Sequence, residues 1–163
     1  MKSLKVVFLG TPEFAKTSLE AIYHSHHQVV GVVTVADKAS GRGQKVNQSP
    51  VKLFALENNI PVFQPEKLRN PEFLDELRKL DADVFVVVAF RMMPKVLFEM
   101  PRMGTFNLHA SLLPDYRGAA PINYAVINGE EKTGATTVPE GTTVQRRERV
   151  LQSLRNPNLS LFD

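Results

Sequence analysis

Apolar residues fall in short runs along the chain, and the spacing inside the runs alternates between that of strands and that of helices. Lys5-Val6-Val7-Phe8-Leu9 is β-branched and apolar and stops at Gly10, which predicts a strand and a turn. Thr11-Pro12-Glu13 follows, where threonine is placed to cap and proline to fill the first helical position. Phe14, Ser18, Leu19 and Ile22 then recur at helical spacing, and Val29 to Val35 reads as a second strand, completing a first βαβ unit.

Residues 36–48 are too polar for core and predict a glycine- and cation-rich loop. Ser49-Pro50 opens the next helix as cap and first-turn proline, with Val51, Phe54, Ala55 and Leu56 as its apolar positions. Ile60-Pro61-Val62-Phe63 predicts a short strand whose proline points to an edge or a strand start. Asn70-Pro71-Glu72 opens a further helix carrying Phe73, Leu74, Leu77 and Leu80. Asp83 to Phe90 is apolar at nearly every position, as in a central strand buried on both faces. A short helix around Pro94 to Glu99, a strand over Gly104 to His109, a helix over residues 119–128 and a strand over Thr133 to Val138 complete the pattern.

Strands alternating with helices predict an α/β fold: an open, mostly parallel, Rossmann-like sheet with ligands at the carboxyl ends of its strands. A chain of 163 residues is long enough for its own core. It has no cysteine, which excludes disulfides, thiolate metal sites and a cysteine nucleophile. Neither a secretory leader nor an apolar run long enough to span a bilayer is present, so a cytoplasmic protein without membrane contact is expected. A net charge of +3 does not by itself argue for nucleic acid. The G-x-G-x-x-G fingerprint is absent after the first strand, which leaves nicotinamide binding without support. His24, His26 and His27 cluster at the end of the first helix, where imidazoles suit the negative helix terminus better than they define a metal site.

The candidate chemistry lies in Asn107-Leu108-His109. Alternation along a strand turns Asn107 and His109 to the same side at its carboxyl end. An amide donor beside an imidazole suits acyl transfer, in which a tetrahedral oxyanion needs donors and a proton must be moved. The bland alternative is a turn-capping asparagine and a satisfied, half-buried histidine.

The residues that follow decide between the two. Ser111-Leu112-Leu113-Pro114 and Tyr116-Arg117-Gly118-Ala119-Ala120-Pro121-Ile122, with Val7 to Ala15, Ser40 to Lys45 and Ser49-Pro50-Val51-Lys52, together resemble the folate-dependent formyltransferases, most closely the methionyl-tRNA formyltransferases. The resemblance implies catalytic roles for Asn107 and His109 and contact of Ser111, Leu112, Leu113 and Pro114 with the reduced folate. It implies 10-formyltetrahydrofolate as formyl donor, initiator methionyl-tRNA as acceptor, no metal and no protein partner. Arg42, with Lys38 and Lys45, would follow the phosphates of the tRNA acceptor arm; without the resemblance, a charged loop reads as a solvated one.

The resemblance covers a catalytic domain over residues 1–137 and leaves 138–163 as a divergent tail. The family's Asp-Thr-Gly element, whose aspartate orients the histidine, does not occur in this sequence; its place falls near Gln145, and Glu140 and Glu148 are the nearest acids. The family's C-terminal tRNA-binding domain is likewise not among these residues, so impaired turnover is expected. Val150, Leu151 and Leu154 predict a short helix in the tail. Two other readings stand beside this one. Glycinamide ribonucleotide formyltransferase shares the Asn-x-His and Ser-Leu-Leu-Pro elements, but Arg117 to Ile122 and the Gly41-Arg42-Gly43 loop favour the tRNA enzyme. A non-catalytic folate- or tRNA-binding fragment would bind ligand without transferring formyl.

Overall fold

The computed structural model describes residues 2–40, 45–118 and 120–140. Its elements run β1 (Lys5–Gly10), α1 (Glu13–Tyr23), β2 (Gln28–Val33), β3 (Lys38–Ser40), β4 (Lys45–Asn47), α2 (Pro50–Glu57), β5 (Val62–Phe63), α3 (Pro71–Lys79), β6 (Val84–Val88), α4 (Lys95–Phe98), β7 (Thr105–His109), α5 (Pro121–Ile127) and β8 (Thr136–Pro139). Two compact units divide the chain, residues 1–106 and 107–163, and β7 runs from the first into the second.

The strand order is β5-β2-β1-β6-β7-β8, and β1 pairs in parallel with both β2 and β6, as β2 does with β5. The chain moves outward from β1 to β5 and then returns to the other side of β1. That reversal makes the carboxyl ends of β1 and β6 the switch point at which such sheets bind ligands. The all-apolar run over residues 84–88 occupies an interior position, and the proline-preceded β5 lies at the edge. Both placements follow the rule that central parallel strands are buried on two faces while edge strands tolerate proline.

Alternation sorts β1 into two faces. Val7 and Leu9 join Val33, Phe85 and Val87 in a core against Phe73, Leu74 and Leu77 of α3. Val6 and Phe8 are buried as well, on the opposite face of the pleat. Helices α1 and α2 pack together, with Tyr23 edge-on to Phe54 at a centroid distance of 5.5 Å. Gly10 lets α1 and β6 approach the end of β1: a Cβ there would lie 2.8 Å from the Ala15 side chain and 2.8 Å from the Val88 carbonyl oxygen.

The caps at Ser49 and Asn70 form as expected, accepting from Lys52 N at 3.1 Å and from Glu72 N at 2.9 Å. Thr11 does not cap. Helix α1 starts from Pro12 without a side-chain cap, and the Thr11 hydroxyl is buried without a hydrogen-bond partner among the described residues. The buried face of α1 is carried by Ala15 and Leu19, while Phe14 is exposed. Within the polar segment 36–48, where the sequence predicts a loop, the described residues form two strands: β3 and β4 pair antiparallel with Ala39 opposite Val46. Its hydrophobic alternation is too short to announce a strand, since Ala39 and Val46 both face solvent. The last strand begins at Thr136 rather than Thr133.

Asp83 ties the starts of β1 and β6. It accepts from Lys5 N at 2.8 Å and pairs with Arg102, and these two donors hold its carboxyl below the usual range. No helix among the described residues is long and apolar enough to cross a membrane.

Candidate active site

The second unit holds the Asn-x-His pair. β7 ends at His109, and the chain turns at once through residues 110–118 toward α5. Asn107 and His109 stand two residues apart on the strand and therefore share a side, and both are half-buried. The Asn107 carboxamide makes no hydrogen bond with another described residue, which leaves its N–H donors for a ligand.

Among the described residues His109 makes one hydrogen bond: Nε2 lies 3.0 Å from the carbonyl oxygen of Tyr116. A carbonyl only accepts, so Nε2 carries the proton and Nδ1 is the ring nitrogen left for chemistry. On a neutral ring Nδ1 accepts a proton; on an imidazolium it donates one. The Tyr116 carbonyl is itself fixed. Its residue adopts a left-handed φ of 53°, its phenol donates to Glu130, and Asn128 Nδ2 donates to the phenol oxygen at 3.0 Å. The hydrogen bond to Glu130 is the first cause of a Tyr116 hydroxyl pKa above the ordinary phenol value.

The turn after the pair is built from inside. Ser111 is fully buried and its hydroxyl donates to the Asp115 carbonyl at 2.7 Å. Thr136 of β8 bridges the turn, donating to the Ser111 carbonyl at 2.7 Å and accepting from Leu113 N at 3.0 Å. Leu112 is 52% exposed, rests against Gly134, and precedes a cis Leu113-Pro114 bond. Of the four residues expected at the folate, Ser111 thus spends its hydroxyl on the turn, and Leu112 presents apolar surface to solvent. Tyr116 is legible in the sequence only as part of the run that carries the resemblance and Thr136 only as part of a strand; neither contact is legible, because a backbone acceptor and a bridging threonine have no spacing signature.

The other candidates lie in the first unit or outside the described residues. Lys38 is exposed on β3 and Lys45 stands on β4, opposite Ser40. Arg42 lies outside the described residues, as do Gln145, Glu148 and the tail helix expected at Val150, Leu151 and Leu154. His27 Nδ1 accepts from Leu4 N at 3.2 Å, and no group of three or more histidine or acidic side chains among the described residues is arranged to hold a metal ion.

A cleft of about 450 Å³ that the sequence did not announce opens in the first unit, lined by Lys67, Leu68, Arg69, Arg91, Met92 and Met93 together with Pro94. Arg91 braces it, with Nη1 donating to the Glu66 carbonyl at 2.9 Å, Nη2 to that of Pro65, and the guanidinium 5.6 Å from the centre of the Phe90 ring.

Residues 4–141 match the Formyl transferase family model. The methionyl-tRNA formyltransferase of Flavobacterium johnsoniae is 59% identical over 137 residues, covering 84% of this chain and 44% of that protein. The methionyl-tRNA formyltransferase of Bacteroides fragilis is 52% identical over 156 residues, 96% of this chain and 48% of that protein. The chain therefore spans less than half the length of these relatives. Among solved structures, the phosphoribosylglycinamide formyltransferase of Anaplasma phagocytophilum superposes with a TM-score of 0.65 at 21% identity, over 88% of this chain and 68% of that one. The formyltetrahydrofolate deformylase of Pseudomonas syringae does so at 0.56 and 16%, over 93% of this chain and 57% of that one, which is a likeness of fold. With the family model matching most of its length, the chain belongs to the formyl transferase family.

Proposed function

We propose that the chain transfers a formyl group from 10-formyltetrahydrofolate to the amino group of methionyl initiator tRNA. The observation that carries the reading is the Asn107–His109 pair, with a carboxamide that bonds no other described residue beside an imidazole oriented by the Tyr116 carbonyl.

The amine nitrogen attacks the formyl carbon and the carbonyl π pair moves onto oxygen. Asn107 N–H and protonated His109 donate to that oxyanion, a charge that a preorganised donor stabilises more than it does the planar ground state. As the carbon–N10 bond breaks, the leaving folate nitrogen must gain a proton and the former ammonium must lose one. His109 Nδ1 is suited to carry a proton between the two. Residues 111–114 shape the surface on which the donor rests. Lys38 of β3 and Lys45 of β4, with Arg42 between them in the sequence, are the cations that we assign to the tRNA phosphates.

Residues 1–137 form the catalytic domain in this reading, and 138–163 the divergent tail. The sequence has no Asp-Thr-Gly element, and the partner of His109 among the described residues is the neutral Tyr116 carbonyl, which stabilises an imidazolium less than a carboxylate does; slow turnover is the expectation that follows.

The acceptor tests the assignment. With donor labelled in its formyl group, label is expected in methionyl-tRNA and not in glycinamide ribonucleotide. Label in the ribonucleotide alone would move the chain to the other formyltransferase class. Folate binding with no label in either acceptor would make it a binding fragment.

A further inference from the structure

Asp37 lies four residues past the end of β2, immediately before the first rung of the hairpin, Lys38 opposite Asn47. Its carboxylate gathers donors from separate parts of the chain: Lys52 Nζ of α2 at 2.5 Å, Gln64 Nε2 just beyond β5 at 2.7 Å, and Gln48 Nε2, just past the end of β4, at 3.5 Å. Gln64 also donates to the Val35 carbonyl at 2.9 Å. The Lys52 and Asp37 side chains are only 12% and 26% exposed. Beside them the fully buried Thr34 hydroxyl meets Ser49 Oγ at 2.8 Å, joining the end of β2 to the cap of α2. One carboxylate therefore fastens both legs of the hairpin to the sheet and to α2. Its donors, Lys52 first, hold Asp37 below the usual carboxylate range, so it stays charged in any neutral buffer.

We infer that Asp37, Lys52 and Gln64 are positioning residues that clamp the base of the β3–β4 hairpin and so set how its cations meet a polyanion. The inference rests on the reading of that hairpin as the tRNA contact. It also gives Lys52 a role unlike that of the hairpin lysines: its ammonium is committed to Asp37 and does not bind phosphate.

Opposite charge changes separate a clamp from a field effect. Asp37→Ala takes the net charge from +3 to +4, and Lys52→Met takes it from +3 to +2. A simple field strengthens tRNA binding in the first and weakens it in the second. Loss of the clamp weakens both, by roughly three- to tenfold, the worth of about one phosphate contact. Trypsin gives a second readout that needs no tRNA, because it cuts after Lys38, Arg42 and Lys45. Cleavage there is expected to speed up by about tenfold in both variants as local opening becomes easier. Gln64→Ala, which changes no charge, moves both readouts the same way by less, and Lys52→Arg restores both.

Tighter or unchanged binding by Asp37→Ala, or unchanged tryptic cleavage, overturns the clamp. Arg42→Ala tests the underlying reading separately. If it binds tRNA as the parent does, the hairpin is not the contact and the inference falls with it. If it binds more weakly while Asp37→Ala does not, the clamp alone fails.

Discussion

Asn107→Ala is expected to slow formyl transfer by roughly 10²–10³-fold, about 2.7–4 kcal/mol of transition-state stabilisation, with little change in the KM for methionyl-tRNA. The size follows from where the side chain sits. Asn107 stands on β7, its carboxamide makes no hydrogen bond with another described residue, and so no donor has to be withdrawn before it meets an oxyanion. A donor that strengthens its bond only as charge develops lowers kcat and kcat/KM together. His109→Ala is expected to cost on the order of 10²–10⁴-fold, the usual range for a positioned acid–base group. The double variant should lose far less than the product of the two, because both residues serve one tetrahedral centre. Single-turnover formylation with enzyme in excess of tRNA measures all three. A rise in KM with unchanged kcat for Asn107→Ala would make the residue a binding contact only.

The second large effect is on stability. Phe85→Ala removes a ring that is 1% exposed in a strand paired with β1 and packed against α3. Neighbouring Val7, Leu9 and Leu77 belong to rigid elements that close only partly over the space, so the loss should be about 3–5 kcal/mol. Against a typical total of roughly 5–15 kcal/mol, that threatens folding outright. Urea unfolding should show the midpoint falling sharply while the denaturant slope stays the same. A loss under about 1 kcal/mol would mean that the core around β6 is not packed as described.

Much of the architecture is legible in the sequence because it rests on local chemistry. Ser49-Pro50 and Asn70-Pro71 start helices with caps that form as the residue types dictate. The unbroken apolar run of β6 could only be comfortable in the middle of a sheet, and Pro61 directs β5 to an edge. The features that escape are those set by tertiary contacts. Thr11 has the right type for a cap, yet the backbone places Pro12 there and buries the hydroxyl. The β3–β4 hairpin has one exposed apolar pair, Ala39 and Val46, and is fastened by Asp37 reaching residues 15 and 27 positions away. In the site, Asn107 and His109 announce themselves by period-two spacing and by the residues around them. The group that orients His109 is a main-chain carbonyl whose position depends on Tyr116, Asn128 and Glu130 meeting in space.

The central claim is that this chain's own Asn107–His109 pair transfers formyl, and a single-turnover assay tests it most directly. Protein in excess over methionyl-tRNA, supplied with 10-formyltetrahydrofolate, is followed beside His109→Ala as background. Formylation above that background, however slow, is the predicted result. Equal rates for the two proteins, with donor still bound by both, would contradict the account.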